Sequence, residues 1–179
     1  MATEVLIKNG TPIVWANSGE YGDSPYTRTH QIDLGGLANN AMRQGAKADF
    51  GATRARDWAI FLGIELDVDL SAAGAVYLYF SSSPSATAGT GNKGGASGVD
   101  EAYTDGVNSP KENLDPVGTL HLPATCDDDI LYSARIGIYT PVERYASPVL
   151  LNASGQAFEA TADLIYIAAI PIIDEIQNT

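Results

Sequence analysis

Apolar and polar residues alternate with a period of two through most of the chain. The clearest stretch runs from Trp58 to Asp67, where every second residue from Trp58 to Leu66 is apolar. Because side chains alternate across a β-strand, this pattern predicts one long strand with an apolar inner face. Ala75 to Phe80 repeats the pattern, and so does Ala160 to Ile170, where both faces are largely apolar. Such a strand is expected to be central in its sheet or covered by another subunit.

Weaker alternating segments fill the remainder and are separated by Gly, Pro, Asn and Asp. They are Glu4–Lys8, Ile13–Ala16, Gln31–Leu34, Arg43–Phe50, Val117–Leu122, Ile130–Tyr139 and Tyr145–Leu151. Asn9-Gly10 favours a hairpin between the first two of them. A sustained 3.6-residue apolar stripe is missing from the sequence. The pattern predicts an all-β chain, a β-sandwich and within that class a jelly roll, in a single domain (1–179) whose residues 1–30 form a hairpin or arm.

Residues 81–113 interrupt this rhythm with a long stretch rich in Gly and Ser, here called the Gly-rich loop. Loops of this length in compact domains are usually functional or disordered. Its composition offers little apolar area to bury, so we expect it to order on the surface of a neighbouring molecule, with Tyr103 as its large anchor. A surface loop without a partner is the alternative.

Composition and charge limit the classes of function that the chain can have. The 179 residues are 45% apolar and 18% charged, which suits one folded domain. The net charge of −12 argues against binding to nucleic acid, which needs surplus Lys and Arg. The charge is uneven: six basic and five acidic residues precede Asp57, against four basic and seventeen acidic ones from there on. The first part can face an acidic partner, although an acidic surface that only aids solubility is an equal alternative.

The sequence contains few candidate catalytic or ligand-binding motifs, and we predict neither a cofactor nor a metal. Gly89 to Gly94 matches the dinucleotide pattern GxGxxG, but the following Gly and Ala residues do not begin the helix that the mechanism needs. The carboxylates at 65–69 and 127–129 lack the spacing of a calcium loop. His30 and His121 have no nucleophile context, so we predict no enzyme. The sequence shows neither an export signal nor a membrane-spanning run, so we expect no membrane association.

Several stretches are distinctive in their order. They are Arg43 to Lys47, Tyr79-Phe80, the SPSATAGTGNKGGASGVDEAY segment, Arg144-Tyr145, the segment from Asn152 to Phe158 and Ile170 to Ile172. Over about 42–172 the chain resembles a family of tailed-bacteriophage virion proteins. The resemblance implies a capsid decoration (cement) protein of β-sandwich type on the outer capsid surface of the virion, made in the host cytoplasm. It implies the major capsid protein as partner, a homotrimer and no catalytic residues.

Contacts with the capsid or between subunits are assigned to three groups of residues. They are the basic Arg43, Lys47, Arg54 and Arg56, the loop residues Asn92, Lys93 and Tyr103, and the strand residues Ile165 and Ile167. Two other functions stay open: a tail or head–tail connector subunit, and a carbohydrate-binding module that uses exposed aromatics such as Trp15, Tyr21 and Tyr26. Neither nucleic acid nor a membrane is expected as a partner.

Overall fold

The computed structural model describes residues 3–17, 26–51, 55–107, 110–128, 130–161 and 164–178, and of residues 3–8 and 174–178 it describes the backbone. This part of the chain is nearly all β. The strands are β1 (Thr3–Asn9), β2 (Ile13–Ala16), β3 (His30–Gln31), β4 (Met42–Gln44), β5 (Ala48–Asp49), β6 (Asp57–Ile64), β7 (Gly74–Ser83), β8 (Glu101–Ala102), β9 (Asp115–Leu122), β10 (Tyr132–Tyr139), β11 (Tyr145–Ala153) and β12 (Tyr166–Asn178). Single 3₁₀ turns lie at Lys93–Gly95 and Lys111–Asn113.

The strands form two sheets that pack face to face. The first sheet has the order β10-β6-β12-β2-β3, with β1 also paired to β12, and the second has the order β8-β4-β11-β7-β9, with β5 also paired to β11. The strands β3, β5 and β8 have two residues each, and β1 continues β2 along β12. Without these four, two four-stranded sheets remain whose chain order is that of two Greek keys. The predicted β-sandwich and jelly roll are therefore confirmed.

The core lies between the inner faces of the two sheets and has an aromatic centre. Phe80 stacks on Tyr139 with ring centroids 4.5 Å apart, and Phe50 meets Trp58 edge to face at 4.8 Å. Trp15 completes the group at 5.6 Å from Phe80 and is fully buried. The predicted apolar face of the Trp58 strand is confirmed, because its alternate residues to Leu66 are buried.

The last strand, β12, differs from its prediction in extent and in orientation. It begins at Tyr166, since residues 160–161 lie in a turn, and it is central in its sheet between β6 and β2. Ile165 and Ile167 belong to the main core between the sheets. Their assignment to a subunit contact is therefore wrong, and the opposite set, Tyr166 and Ala168, lies on the outer face.

The predicted N-terminal hairpin is also wrong. β1 and β2 do not pair with each other but follow one another along the same edge of β12, with Asn9 opposite Ile172 and Ile13 opposite Ala169. Pro12 lacks an N–H group and falls in the break between them, so the segment forms an interrupted strand. The turn propensity of Asn9-Gly10 corresponds to this break and not to a hairpin. At the break, the Gly10 N–H donates to the Pro171 carbonyl.

One side of the sandwich is closed by a close approach of β9 and β10, which belong to different sheets. A Cβ atom at Gly118 would lie 2.1 Å from the Ile136 carbonyl oxygen, and one at Gly137 would lie 2.3 Å from the Val117 carbonyl oxygen. Real Cβ atoms do not come so close to backbone oxygens, so glycine is required at both crossing points.

We expect Gly118→Ala to lower the free energy of unfolding by about 2 kcal/mol, because the two backbones must separate to admit the methyl group. Urea denaturation followed by tryptophan fluorescence measures the change. Gly106→Ala is the matched control, since a Cβ there meets open space. Equal stability of the two variants would contradict the proposed closure.

Candidate functional site: an apolar face on the first sheet

Part of the outer face of the second sheet is covered by the chain's own Gly-rich loop. Tyr103 is buried in a cluster with Met42, Leu114 and Val149, and its hydroxyl donates a 2.6 Å hydrogen bond to the Gly94 carbonyl. Burial raises the pKa of this hydroxyl above its ordinary value. The prediction that the loop and Tyr103 order on a neighbouring molecule is therefore wrong for the described residues, because they pack on their own sheet.

Lys47 holds the first half of the loop. Its ammonium group donates to the Ser83 hydroxyl at 3.1 Å and to the carbonyls of Ser85, Thr87 and Thr90 at 2.9, 2.8 and 3.3 Å. Burial lowers the pKa of this ammonium. A phosphate-binding loop turns N–H groups inward, whereas this loop turns carbonyl oxygens inward. The oxygens of Ser83, Ser85, Thr87 and Thr90 thus surround a cation, and Thr90 is the one of them that lies within the GxGxxG match.

Further polar contacts hold the second half of the loop. Arg43 Nε donates to the Asp100 carboxylate at 2.8 Å, and this bond raises the pKa of the guanidinium. The side-chain amide of Asn92 donates to the Ala96 carbonyl at 2.6 Å. Arg43 and Asn92, together with Lys47, hold the loop on its own sheet, and they keep intermediate exposure. Their assignment to capsid contacts stays a prediction.

Three of the residues predicted to contact the capsid remain: Arg54, Arg56 and Lys93. Arg54 lies outside the described residues. The Arg56 side chain is 89% exposed and has a weak contact with Asp57 at 3.4 Å. Lys93 is partly exposed and pairs with Asp115 at 3.1 Å. Of the predicted set within the described ranges, Arg56 and Lys93 are the exposed residues.

We expect Tyr103→Phe to lower the free energy of unfolding by about 1 kcal/mol, because the Gly94 carbonyl loses a buried donor while the ring packing is kept. Differential scanning calorimetry measures the effect. Tyr77→Phe is the control, since Tyr77 lies on the same sheet face and is partly exposed. A melting temperature equal to that of Tyr77→Phe would show that the hydrogen bond contributes nothing.

The outer face of the first sheet carries a groove that the Gly-rich loop does not cover. We call it the outer-face groove; its volume is about 470 Å³, in the range of binding sites for small ligands or side chains. Its walls are mostly apolar and are formed by Asn9, Tyr26, Ala59, Phe61, Arg135, Ile170 and Ile172. Ile138, which pairs with Ala59, is 54% exposed and extends the apolar surface. Another part of this face, with Val14, Ala16, Tyr166 and Ala168, is buried by the chain itself. Around the groove, Ile138 and Ile173 stay exposed, and exposed apolar residues that lie together are typical of interaction sites.

Arg135 lies at the rim of this groove and is exposed. Among the cationic side chains that the structure describes, it is the one without a hydrogen bond or ion pair, whereas Arg43, Lys47 and Arg144 are held by oxygens of their own chain. A guanidinium beside apolar walls fits an anionic group on an apolar partner.

The groove continues into a two-stranded extension of the sheet, which we call the β-ribbon. It consists of β1 and residues 172–178 of β12, in antiparallel register from Asn9↔Ile172 to Thr3↔Asn178. β6 pairs with β12 only as far as Asp57↔Ile172. Within the described part of the chain, the β-ribbon therefore extends past the body of the sheet.

The described residues contain no group of three or more His, Cys, Asp or Glu side chains placed to hold a metal ion. His30 and His121 lie on different sheets. Asn152, which begins an Asn-Ala-Ser sequence, is fully buried and cannot accept a glycan in the folded chain. No helix in the described ranges has the length and apolar character to span a membrane.

Sequence reasoning missed the outer-face groove, although one of its signals was present. Ala59 and Phe61 stand on the second face of the strongest alternating strand, and that face is apolar at this end. No sequence pattern predicted a role for Arg135. Its lack of a partner depends on which residues the fold brings near it.

The comparisons with known proteins do not assign the chain to a family. No family model matches it, and no curated protein is significantly similar to it.

Proposed function

We propose that this chain is a structural, non-enzymatic protein of a tailed-phage particle, a capsid decoration protein that binds the outer surface of the head and stabilises it. The observation that carries the proposal is the outer-face groove of the first sheet, with its mostly apolar walls, the exposed Ile138 beside it and the exposed Arg135 at its rim. Jelly rolls occur in viral capsid domains and in lectins. Because a fold hosts many functions, the surface carries more weight than the fold.

Charge supports a position outside the shell. A chain with a net charge of −12 is repelled by packaged DNA but tolerates the outer surface. A decoration protein acts by burying area across the boundaries between capsomers, and many copies turn a modest affinity into stable attachment. The partners in this proposal are the major capsid protein and further copies of the chain, as a homotrimer by the resemblance.

The proposal is tested by adding the purified protein to undecorated heads of the same phage. We expect saturable uptake in co-sedimentation and a higher temperature of thermal rupture. Absence of both would overturn the proposal. Cryo-electron microscopy of decorated particles locates the protein, and density on the tail or connector instead of the head would favour a tail or connector subunit.

A second candidate function is carbohydrate binding, which one observation favours. Tyr77 is 37% exposed and lies with Tyr79, Pro116 and Thr119 along a shallow groove of about 210 Å³ on the second sheet. Tyrosine rings can stack on sugars. The earlier candidate Trp15 is fully buried, and Tyr21 lies outside the described residues. Glycan-array binding that Tyr77→Ala abolishes would support this function, and an array without hits would reject it.

A further inference from the structure

We propose that the Gly-rich loop forms a binding site for a monovalent cation of the size of NH₄⁺ or K⁺, and that the Lys47 side chain occupies this site as the chain's own cation. The site lies on the second sheet, where Ser83 of β7 contributes to it. It is independent of the proposed function, which depends on the first sheet. Removal of the lysine side chain should leave a site that a free cation can fill.

Four uncharged oxygen atoms surround the Lys47 ammonium. They are Ser83 Oγ and the carbonyl oxygens of Ser85, Thr87 and Thr90, at 2.8–3.3 Å from Nζ. Among the described residues, no carboxylate forms an ion pair with Lys47. Potassium channels bind K⁺ with carbonyl oxygens that replace its hydration shell, whereas calcium sites include carboxylates. The set of ligands therefore suits a monovalent cation.

The distances favour a large cation over a small one. Calcium lies about 2.3–2.6 Å from its oxygen ligands and magnesium about 2.0–2.1 Å, so either ion would require the loop to contract. Nitrogen–oxygen distances in hydrogen bonds from a cationic donor are about 2.7–2.9 Å. A free NH₄⁺ therefore fits between these oxygens with little movement of the loop, and K⁺ is close to NH₄⁺ in size.

The four oxygens outnumber the hydrogens that the lysine can offer them. A lysine ammonium has three N–H groups. The Ser83 hydroxyl has carbonyl acceptors of its own, Thr90 at 2.9 Å and Ser85 at 3.2 Å, which direct its hydrogen away from Lys47. A free NH₄⁺ has a fourth N–H group, and K⁺ has no directional preference. Either ion can therefore interact with all four oxygens at once.

Other bonds hold the neighbouring part of the loop without the lysine side chain. The backbone N–H of Lys47 donates to the Gly98 carbonyl at 2.9 Å, and the Ser81 hydroxyl donates to the Lys93 carbonyl at 2.6 Å. Both bonds remain when residue 47 is alanine. The oxygens around the ammonium then separate but stay near one another, so a free cation can bring them together again.

Hydrogen exchange of peptides from 84–98 in Lys47→Ala tests the site. The chlorides of NH₄⁺, K⁺ and tetramethylammonium, whose cation is too large for the site, are compared at equal concentration. At about 200 mM we expect exchange at least about fivefold slower with NH₄⁺ or K⁺, the factor that a dissociation constant of about 50 mM gives. Propylammonium should act at lower concentration, because it also replaces the lysine stem, whose Cε would lie 3.0 Å from a Cβ at Gly98.

Lys47→Met is the matched control, because it loses the same charge but its terminal methyl group lies where the cation would bind. Neither this variant nor the unsubstituted chain should respond to the choice of salt. Equal exchange of Lys47→Ala in all three salts, or equal slowing in Lys47→Met, would overturn the inference. If Lys47→Ala is unfolded in tetramethylammonium chloride, a folded circular dichroism spectrum in ammonium chloride would support the site, and a chain unfolded in every salt would overturn it.

Discussion

Lys47→Met is expected to loosen the first half of the Gly-rich loop and to lower the free energy of unfolding by about 3 kcal/mol. Methionine keeps the apolar stem of the side chain but removes the ammonium, so the carbonyls of Ser85, Thr87 and Thr90 lose a charged donor. Hydrogen bonds to charged groups are worth more than neutral ones, and the oxygens turned toward one another repel when the cation is gone.

Hydrogen exchange of peptides from 84–98 measures the loosening, and urea denaturation measures the stability. Lys93→Met is the matched control, because Lys93 lies in the same loop but makes a surface ion pair with Asp115. We expect the control to cost less than about 0.5 kcal/mol. Loop exchange in Lys47→Met as slow as in the unsubstituted chain would show that apolar contacts alone hold the loop.

Asn152→Ala is expected to be at least as damaging, with a loss of about 3–4 kcal/mol. Asn152 is fully buried, and its amide nitrogen donates to the carbonyls of Leu37 and Gln156, both at 2.8 Å. Its side-chain oxygen accepts from the backbone N–H and the hydroxyl of Ser154 at 3.0 and 2.7 Å. Truncation leaves the Ser154 N–H without its acceptor, removes one of the two donors to each of the Leu37 and Gln156 carbonyls, and opens a cavity.

Thermal and urea denaturation measure this loss. Asn39→Ala serves as the control, because the exposed Asn39 accepts one hydrogen bond, from the Gly155 N–H, in the same group of turns. We expect the control to cost about 0.5 kcal/mol. If both variants lost the same small amount, Asn152 would not be what joins the turn at 152–156 to the segment 37–41.

Two interior strands of the sandwich, β6 and β7, followed directly from the sequence. Trp58 to Leu66 and Ala75 to Phe80 each have a clear apolar face, and a face of this kind must be buried to gain the free energy of the hydrophobic effect. The turn residues between the segments then favoured two packed sheets, and the jelly roll follows from how those segments pair. The hairpin at Asn9-Gly10 failed because β12 offered both strands a longer partner than they offered each other.

Alternation alone thus determined the all-β class and the residues that share a face of each strand. It did not decide which face of β12 turns inward, since Ile167 and Ala168 are both apolar and only the neighbouring sheet distinguishes them. Nor did it reveal that the Gly-rich loop packs on its own sheet, because three of the oxygens around Lys47 are backbone carbonyls, which every residue carries. The tertiary structure decided both points, since they depend on contacts between segments distant in the chain.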